Sequence, residues 1–408
     1  MAGEPDRRAD RGRRLLVLGA GPAQLGLLEA ARARGDLEVI ALDRDPGAPG
    51  FALAHRRAII STEDERGIQR LAQAERVDGI IAPGIDWPVA IAARVAEKAG
   101  APHPLSPATA GLAVSKARQR ERLAEAGVPQ PAWRLVSGVE DGLPVPCVVK
   151  APDRQGQRGL SLVEDAGGLK DAINRALHES RNGHALVEQL ADGPEVTVNA
   201  FSLGGSFHPL TVTDRLTAGP PAFGVALAHV WPSEADFAGE AADAAARAVE
   251  ALGITDGPTY TQLRITRDGP QVVEVAARLG GGHDAELCEA ALGVDLNGLA
   301  LAAALGEEID PRALAAEPGA GGAATVFLTA EPGELESVEG AEEAEAVEGV
   351  FRVRVYRRPG FVVGELRRGS DRVGAVQAVG ATRDEALDRA RAAAALVRFR
   401  TARAGTLA

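Results

Sequence analysis

The first quarter of the chain alternates short apolar runs with amphipathic stretches. Residues 15–18 (LLVL) predict a buried strand, and a glycine turn and a helix over about 24–34 follow it. Apolar runs at 39–42, 58–61 and 79–82 predict three further strands, with a helix before the last of them. This order is typical of a parallel sheet of about four strands with helices on its faces.

The next section predicts a smaller mixed unit. Three prolines within residues 100–107 interrupt the pattern and indicate a domain boundary. A helix is expected over 109–127, before the breaker sequence GVPQP. Strands at 147–150, 160–163 and 185–189 surround a helix over about 169–179, so this section is expected to form an α+β lid.

Hydrophobic periodicity is weak over residues 211–229, which predicts a long loop. Loops of that length are usually functional or disordered, and this one is a second candidate lid. An Asp268-Gly269 turn predicts a hairpin between two later strands. The other elements predicted beyond residue 230 are helices over 235–252, 286–304 and 383–400 and strands over 260–266, 271–275, 351–356 and 361–366.

Composition narrows the class of protein. The 408 residues are 45% hydrophobic and 25% charged, as in ordinary soluble proteins, and the formal net charge of −12 argues against a general nucleic-acid binder. The two cysteines, Cys147 and Cys288, lack metal-site spacing and fit a reducing cytoplasm. The charged first 14 residues do not resemble a secretory signal, and no uncharged apolar run is long enough to span a bilayer.

The stretch QVVEVAARLGGGH, residues 271–283, combines several features that suit phosphate chemistry. Glu274 lies among valines, where a carboxylate needs a partner such as a divalent metal or Arg278. Three glycines at 280–282 then allow a close approach of the backbone to a ligand. A plain strand with a solvent-facing glutamate and an ordinary glycine turn is an equally good interpretation of these residues alone.

Two lysines and two glutamates give weaker signals. Lys150 closes an apolar strand and precedes a glycine loop that could cradle phosphates, and Lys116 lies early in the predicted helix over 109–127. Glu188 and Glu195 lie on either side of LADGP and could meet a nucleoside. Taken singly, a solvated hairpin tip and a surface turn are the better interpretations.

The first glycine turn, GAGPAQLG, resembles a dinucleotide fingerprint only in part. Gly19 and Gly21 fit, Gln24 takes the place of the third glycine, and Asp43 follows the second strand. An NAD-dependent oxidoreductase is therefore one hypothesis, but it leaves the last three quarters of the chain unexplained.

Four motifs in order resemble the ATP-grasp ligases over nearly the whole chain: KARQRERLAEAGVPQP, PCVVKAPDRQGQRGL, LVEQLADGPEVTV and TYTQLRITRDGPQVVEVAARLGGG. The C-terminal GELRRGSDRVGAVQAVGATRDEALDRA is similar to the closing domain of the L-amino acid ligase branch. The resemblance implies an α/β and α+β ATP-grasp fold. It predicts a disordered segment at 1–12, a Rossmann-like pre-ATP-grasp domain at 13–104, an ATP-grasp domain at 105–310 with a lid at about 128–190, and a C-terminal domain at 311–408.

By this resemblance the protein is an ADP-forming carboxylate–amine ligase in the cytoplasm. It would use ATP and Mg²⁺, with Mn²⁺ as a substitute, act on small-molecule carboxylate and amine substrates, and bind neither nucleic acid nor membranes; a homodimer is a family-level expectation. Arg278 and Lys150 would be catalytic, and Glu274 and Gln262 would hold the metal. The expected ATP-binding residues are Lys116, Lys150, Gly156, Gly159, Glu188, Gln189, Leu190 and Glu195. The expected substrate-binding residues are Asp214, Arg215, His229, Gly280, Gly281 and His283.

Two positions depart from the family pattern. Gln262 stands where a glutamate is usual, and Ala276 stands where an asparagine is usual. A neutral amide contributes no charge to a hard cation, so at least one of two magnesium sites should be weakened. This leaves a bicarbonate-activating carboxylase of the same fold and a catalytically impaired nucleotide-binding protein as alternatives.

Overall fold

The computed structural model describes residues 12–402. The disorder predicted for residues 1–12 therefore lies, apart from Gly12, outside the described residues. The N-terminal unit is a four-stranded parallel sheet in the order β3-β2-β1-β4, as the apolar runs predict. Its elements are β1 (Arg13–Leu18), α1 (Leu25–Ala33), β2 (Leu37–Asp43), β3 (Arg56–Ile59), α2 (Glu65–Glu75), β4 (Gly79–Ile81) and α3 (Trp87–Ala99).

Both faces of this sheet are buried. Leu16 and Leu18 point into a core shared with α3 and the central strands, whereas Leu15 and Val17 point into a second core shared with α1. The alternation along one strand thus ties the N-terminal unit to the rest of the protein on both sides.

Two helices and a small antiparallel sheet follow. The sheet has the order β5-β8-β6-β7 and α6 packs against it. The helix predicted over 109–127 is two helices, because Ser115 adopts an extended conformation and starts the second one. The elements are α4 (Pro107–Ala113), α5 (Lys116–Glu125), β5 (Trp133–Val136), β6 (Cys147–Lys150), β7 (Ser161–Val163), α6 (Leu169–Glu179) and β8 (Ala185–Gln189).

The centre of the protein is an eight-stranded sheet in the order β13-β12-β9-β10-β11-β14-β18-β16. Its last three strands come from the C-terminal part of the chain, and a separate sheet has the order β17-β15-β19. The central elements are β9 (Glu195–Leu203), β10 (Ser206–Thr217), β11 (Ala226–Trp231), α7 (Ala238–Ala251), β12 (Gly257–Thr266), β13 (Gly269–Ala276), α8 (Asp284–Leu292) and α9 (Leu296–Ala304). The C-terminal elements are β14 (Gly322–Leu328), β15 (Gly333–Glu339), α10 (Ala341–Glu345), β16 (Val350–Val355), β17 (Val362–Val363), β18 (Gly374–Gly380), α11 (Arg383–Leu396) and β19 (Arg398–Ala402).

The prediction of a long loop over 211–229 is wrong. These residues form most of the antiparallel pair β10 and β11, and only residues 218–225 connect them. The pattern misled because the buried positions of β10 include Thr211, Thr213 and Asp214, so an inward face of the strand is polar. Most of this stretch therefore belongs to the central sheet, and the second candidate lid is reduced to the connection 218–225.

Three other predicted elements change at their ends. The helix expected over 286–304 is interrupted at Gly293, which has a φ of 70°, and Asp295 caps a new helix. The strand expected over 361–366 shrinks to Val362–Val363. The last helix ends at Leu396 because β19 follows and pairs with β15. The hairpin between β12 and β13 is confirmed, but its turn is Arg267-Asp268 and Gly269 is the first residue of β13. The domain boundaries after residues 104 and 310 stay predictions.

Within residues 12–402, the structure contains no helix with the length and apolar character that crossing a membrane requires.

Candidate active site

A cleft of about 530 Å³ lies where the N-terminal sheet, the small antiparallel sheet and the central sheet meet. Its last wall is a C-terminal segment, residues 356–372. Thirteen of the residues predicted from the sequence line this one cleft: Lys116, Lys150, Gly156, Glu188, Gln189, Leu190, Glu195, Arg215, His229, Gln262, Glu274, Arg278 and Gly281. The predicted residues Gly159, Asp214, Gly280 and His283 are not part of its lining.

Two ion pairs hold the lysines, one of them half-buried and the other buried. Nζ of Lys116, the first residue of α5, lies 2.7 Å from Oε1 of Glu274 on β13. Nζ of Lys150, the last residue of β6, lies 2.7 Å from Oε2 of Glu188 on β8. Charges removed from water need such partners, so the cleft holds these cations by carboxylates of the protein itself.

The pKa shifts of these groups follow from burial and pairing. Burial is the largest single effect and opposes the charge on Lys116, but Glu274 together with Asp86 and Glu188 outweighs it, so the lysine pKa is raised. For Lys150, burial is the largest effect and lowers the pKa despite Glu188. Burial would raise the pKa of both glutamates, yet Lys116 holds that of Glu274 low, while Arg120 and Lys150 hold that of Glu188 low.

Glu195 and Arg215 form a second paired group. A guanidinium nitrogen of Arg215 lies 2.5 Å from Oε1 of Glu195, and Arg264 lies 3.2 Å from Oε2. The predicted ribose residue and a predicted substrate residue therefore contact each other directly. Burial alone would lower the pKa of Arg215, but the carboxylate of Glu195 raises it.

Gln262 and Glu274 are directly opposite each other on β12 and β13. The amide nitrogen of Gln262 lies 3.4 Å from the hydroxyl of Tyr260, so its carbonyl oxygen is the atom available to a cation. Within residues 12–402 no three His, Cys, Asp or Glu side chains are grouped closely enough to hold a metal ion. One carboxylate and one neutral oxygen fit a magnesium ion that arrives on nucleotide phosphates, since Mg²⁺ commonly needs only one or two carboxylates beside phosphate oxygens.

Arg278 is held from the N-terminal unit. Its Nε donates to Oδ1 of Asp86 at 2.8 Å, and Nη2 lies 2.7 Å from the same oxygen. The backbone amides of Asp86 and Trp87 donate to Oε1 of Gln155, in the loop after β6. The loop after β6, the N-terminal unit and the predicted catalytic arginine thus meet at Asp86, a residue that no sequence motif indicated.

Each glycine at 280–282 is required by protein packing. A Cβ at Gly280 would lie 2.2 Å from a carboxylate oxygen of Asp284, and one at Gly281 would lie 2.9 Å from the carbonyl oxygen of Gly84. A Cβ at Gly282 would lie 2.4 Å from Cε1 of His229. The glycine run therefore allows side chains and backbone of the protein itself to approach this turn.

His229 and Asp284 form a buried pair beside this turn. Nδ1 of His229 lies 3.0 Å from Oδ1 of Asp284, although neither ring nitrogen makes a well-aligned hydrogen bond within the described residues. Burial would raise the pKa of Asp284, but His229 and the amide of Gly282 lower it to about 2. The carboxylate is consequently ionised and lies beside the imidazole.

The predicted residues outside the lining have structural contacts. Asp214 accepts a hydrogen bond from Ser233 and pairs with Arg383 at 2.6 Å. His283 starts α8 with a φ of 61°, and its Nε2 lies 2.5 Å from the hydroxyl of Tyr356. Tyr356 does line the cleft, so His283 lies directly behind the lining.

The C-terminal wall contributes arginines that the sequence analysis did not select. The guanidinium of Arg372 stacks 3.6 Å from the ring centroid of Phe327, and that of Arg357 stacks 4.3 Å from Phe361. Burial lowers the pKa of Arg372 to about 10 and also lowers that of Arg357. The run GELRRGSDR gave a family resemblance but no spacing signal, because its partners lie far away in sequence.

The N-terminal glycine turn has a structural explanation. The side chain of Gln24 is buried, accepts a hydrogen bond from the amide of Gly21 and donates to the carbonyl of Pro83. It therefore ties the turn after β1 to the end of β4. Asp43 accepts a hydrogen bond from the amide of Ala20.

The comparisons with known proteins cover nearly the whole chain. The family described as L-amino acid ligase C-terminal domain 2 matches residues 326–402. The uncharacterized protein y4rH of Sinorhizobium fredii is 30% identical over 400 residues, which is 93% of this chain and 81% of that protein. The formate-dependent phosphoribosylglycinamide formyltransferase of Burkholderia lata is 29% identical over 415 residues, 96% of each chain.

Solved structures have the same fold. The L-amino acid ligase of Bacillus licheniformis superposes with a TM-score of 0.82 at 23% identity and covers 96% of this chain and 99% of its own. The biotin carboxylase domain of Hydrogenobacter thermophilus 2-oxoglutarate carboxylase, crystallised as a dimer with MgADP and bicarbonate, has a TM-score of 0.77 at 17% identity, with 95% and 90% coverage. Together with the single cleft that gathers the four predicted motifs, these similarities show that the chain belongs to the ATP-grasp family of ATP-dependent, ADP-forming ligases, with a C-terminal part of the L-amino acid ligase type.

Proposed function

We propose that this protein joins a carboxylate to an amine through an acyl phosphate, and that the carboxylate belongs to an amino acid. A carboxylate oxygen attacks the γ-phosphorus of ATP, and the bond to the β–γ bridging oxygen breaks to release ADP. The amine nitrogen then attacks the acyl carbon, phosphate leaves with the bonding electron pair, and the nitrogen loses a proton. An amide or dipeptide bond is the product.

The observation that carries this proposal is the convergence of Lys116, Lys150, Glu274 and Arg278 on one wall of the cleft. Positive groups aimed at transferring phosphate oxygens stabilise the charge that develops there. The ion pairs Lys116–Glu274 and Lys150–Glu188 are available to exchange partners when a triphosphate enters. In the proposal Glu188, Gln189 and Leu190 form the adenine hinge and Glu195 faces the ribose.

Glu274 and Gln262 would hold a magnesium ion carried by the nucleotide, and manganese is the proposed substitute. Such an ion neutralises charge on the phosphate oxygens. A single ion is proposed because the position opposite Glu274 is a neutral amide.

The lid loop is suited to excluding water from the acyl phosphate. Gln155 accepts hydrogen bonds from Asp86 and Trp87, and Gln157 accepts one from the amide of Gly369 at 3.1 Å. The loop therefore bridges the N-terminal unit and the C-terminal wall. His229 lies in the lining beside Asp284 and is the proposed acceptor of the amine proton. Gly280, Gly281, His283 and Asp214 are proposed to shape the substrate end indirectly.

The anionic end of the substrate is proposed to meet Arg215 and Arg372. Arg215 donates to the carbonyl of Gly224 besides pairing with Glu195, and Arg372 donates to the carbonyl of Gly369. Burial lowers the pKa of Arg372 to about 10, because few negative charges compensate it. An arriving anion would remove this cost.

A cytoplasmic location and a homodimer belong to the same proposal. Both cysteines are buried and free, which is compatible with a reducing compartment. The related biotin carboxylase domain was crystallised as a dimer.

The test is ADP and phosphate release over a panel of amino acid pairs with Mg·ATP, after calorimetry has established nucleotide binding. The proposal expects release only when both a suitable carboxylate and an amine are present. Release stimulated by bicarbonate or formate without an amino acid would assign carboxylase-type or formyl-transfer chemistry instead. Proven ATP binding with no release over the whole panel would contradict the proposal, and activity gained only in Gln262→Glu would identify an impaired metal site.

A further inference from the structure

Strand β13 contains a β-bulge next to Glu274. Gln262 pairs with Glu274, whereas the next residue of β12, Leu263, pairs with Val272, so Val273 is an extra residue on β13. A regular strand alternates its side chains between two faces, which would place Glu274 on the same face as Val272. The bulge breaks this alternation.

The burial of β13 shows the consequence. Val272 and Val275 are both buried in the hydrophobic core, although they are three residues apart. Val273 and Glu274 both line the cleft. The extra residue therefore turns the carboxylate out of the core and toward the position proposed for the nucleotide phosphates.

This bulge lies on a strand that has a neighbour on only one side, because β13 is the edge of the eight-stranded sheet. Its outer backbone groups need partners from elsewhere. Arg120 of α5 supplies two of them: Nη1 donates to the carbonyl of Val272 at 2.7 Å and Nη2 donates to that of Val273 at 2.6 Å. Gln119 exchanges hydrogen bonds with the amide and the carbonyl of Val275.

The same guanidinium reaches the lid. Nε of Arg120 donates to Oε1 of Glu188 at 2.6 Å, and the other carboxylate oxygen of Glu188 holds Lys150. Arg120 is only 2% exposed, and it does not line the cleft. One planar cation therefore connects the bulge that aims Glu274 to the ion pair that holds Lys150.

We propose that Arg120 is a positioning residue that fixes the bulge at Val273 and thereby aims Glu274 at the metal-bearing phosphates of the nucleotide. Arginine suits this role because its rigid fork donates to both carbonyls and to a carboxylate at once, whereas a lysine has a single nitrogen. Gln119 supports the same strand from the next position of α5. This inference rests on the proposed nucleotide site, but it can be tested without any ligation activity.

The experiment measures ADP affinity by calorimetry, once with magnesium and once in EDTA, for the wild type, Arg120→Lys and Arg354→Lys. Arg354 is a matched control, because it is a buried arginine paired with Glu29 and Glu286 away from the cleft lining. Arg120→Lys keeps the positive charge beside Glu188 but loses the two carbonyl contacts. Substitution of a residue that orients a metal ligand typically costs about 10–100-fold in metal affinity.

We expect Arg120→Lys to weaken ADP binding by about tenfold in magnesium and by less than about twofold in EDTA. Arg354→Lys should lower the melting temperature without changing either affinity. If Arg120→Lys also leaves unchanged the gain in ADP affinity that magnesium provides, Arg120 has only a structural role and the inference fails.

Gln119→Met provides a second test if Arg120→Lys does not fold. It removes the contacts to Val275 without changing a buried charge, and a smaller loss of the magnesium-dependent gain is expected. An unchanged gain in a folded Gln119→Met, with Arg120→Lys unfolded, would overturn the inference. If the wild type binds Mg·ADP but forms no ADP from ATP with any substrate pair, that result contradicts the proposed function and not the inference about Arg120.

Discussion

The two walls of the cleft solve the problem of buried positive charge in opposite ways. On the nucleotide side, Lys116 and Lys150 each lie 2.7 Å from a carboxylate of the protein. On the C-terminal wall, Arg357 and Arg372 stack on aromatic rings and donate to backbone carbonyls. In the described part of the chain, neither of these arginines has a carboxylate within hydrogen-bond distance.

This difference indicates that the first wall is preorganised for the nucleotide, whereas the second wall recognises the anionic substrate. The paired wall holds each lysine against a carboxylate of the protein, although burial still lowers the pKa of Lys150, so a nucleotide has to exchange partners there. The unpaired wall carries an electrostatic cost, seen in the lowered pKa of Arg372, that an anion can relieve. We therefore expect substitutions on the first wall to change turnover and those on the second to change substrate affinity.

The largest expected effect is that of Lys150→Ala. Removing a preorganised positive donor from a phosphoryl-transfer site should lower turnover by about a thousandfold. Glu188 keeps Arg120 as a partner, so the fold should persist. ADP release and circular dichroism provide the measurements, with Lys98→Ala, an exposed lysine on α3, as the control. Unchanged turnover would remove Lys150 from the site.

Arg372→Met should have a smaller effect that is confined to the other wall. Loss of a charged hydrogen bond to the substrate should raise KM for the carboxylate by about 10–100-fold, with KM for ATP unchanged. Initial-rate kinetics would measure both constants. Arg367→Met is the control, because Arg367 is exposed and pairs with Glu365. An equal rise in both KM values would contradict the contrast between the walls.

His103 provides a pH-dependent test outside both walls. It lies before α4, accepts a hydrogen bond from the amide of Leu105, and burial lowers its pKa to about 4. In the unfolded chain this histidine binds a proton near pH 6.5, whereas the folded protein does so only near pH 4. The contribution of His103 to the free energy of unfolding is therefore complete above pH 6.5 and decreases as the pH falls toward 4. The wild type should lose about 2 kcal/mol of unfolding free energy between pH 7 and 5 through this residue, and His103→Asn should not. Urea unfolding of both proteins at the two pH values measures this loss. If the assignment is wrong, the wild type and His103→Asn will lose the same free energy of unfolding.

The smallest expected effect is that of Gln262→Glu. A carboxylate directly opposite Glu274 should destabilise the protein by up to about 1 kcal/mol in EDTA. Magnesium should reverse this loss and should saturate the protein at a lower concentration than in the wild type. Thermal melting with and without magnesium measures both, and a loss that magnesium does not reverse would place the metal elsewhere.

Sequence patterns predicted the N-terminal sheet and the hairpin between β12 and β13 because apolar periodicity and turn chemistry are local. They failed at β10, where the buried positions include Thr211, Thr213 and Asp214 and so conceal a central strand. They could not predict the bulge at Val273, because it depends on pairing with β12 and on contacts from α5.

The candidate site divides in the same way between features that local sequence patterns predict and contacts that depend on distant residues. Ordered motifs brought Lys116, Lys150 and Glu274 to attention, and the structure gathers them in one cleft. Asp86, Arg120 and Arg372 escaped because each matters through a partner at least 45 residues away in sequence. A single sequence contains no local signal for such contacts.

Transfer of oxygen from the substrate to phosphate tests the acyl-phosphate route most directly. The carboxylate is labelled with ¹⁸O and the released phosphate is examined by mass spectrometry. Activation as an acyl phosphate predicts that each phosphate formed with amide product carries one labelled oxygen from the carboxylate. Unlabelled phosphate, released in step with the amide, would show that the carboxylate is not phosphorylated.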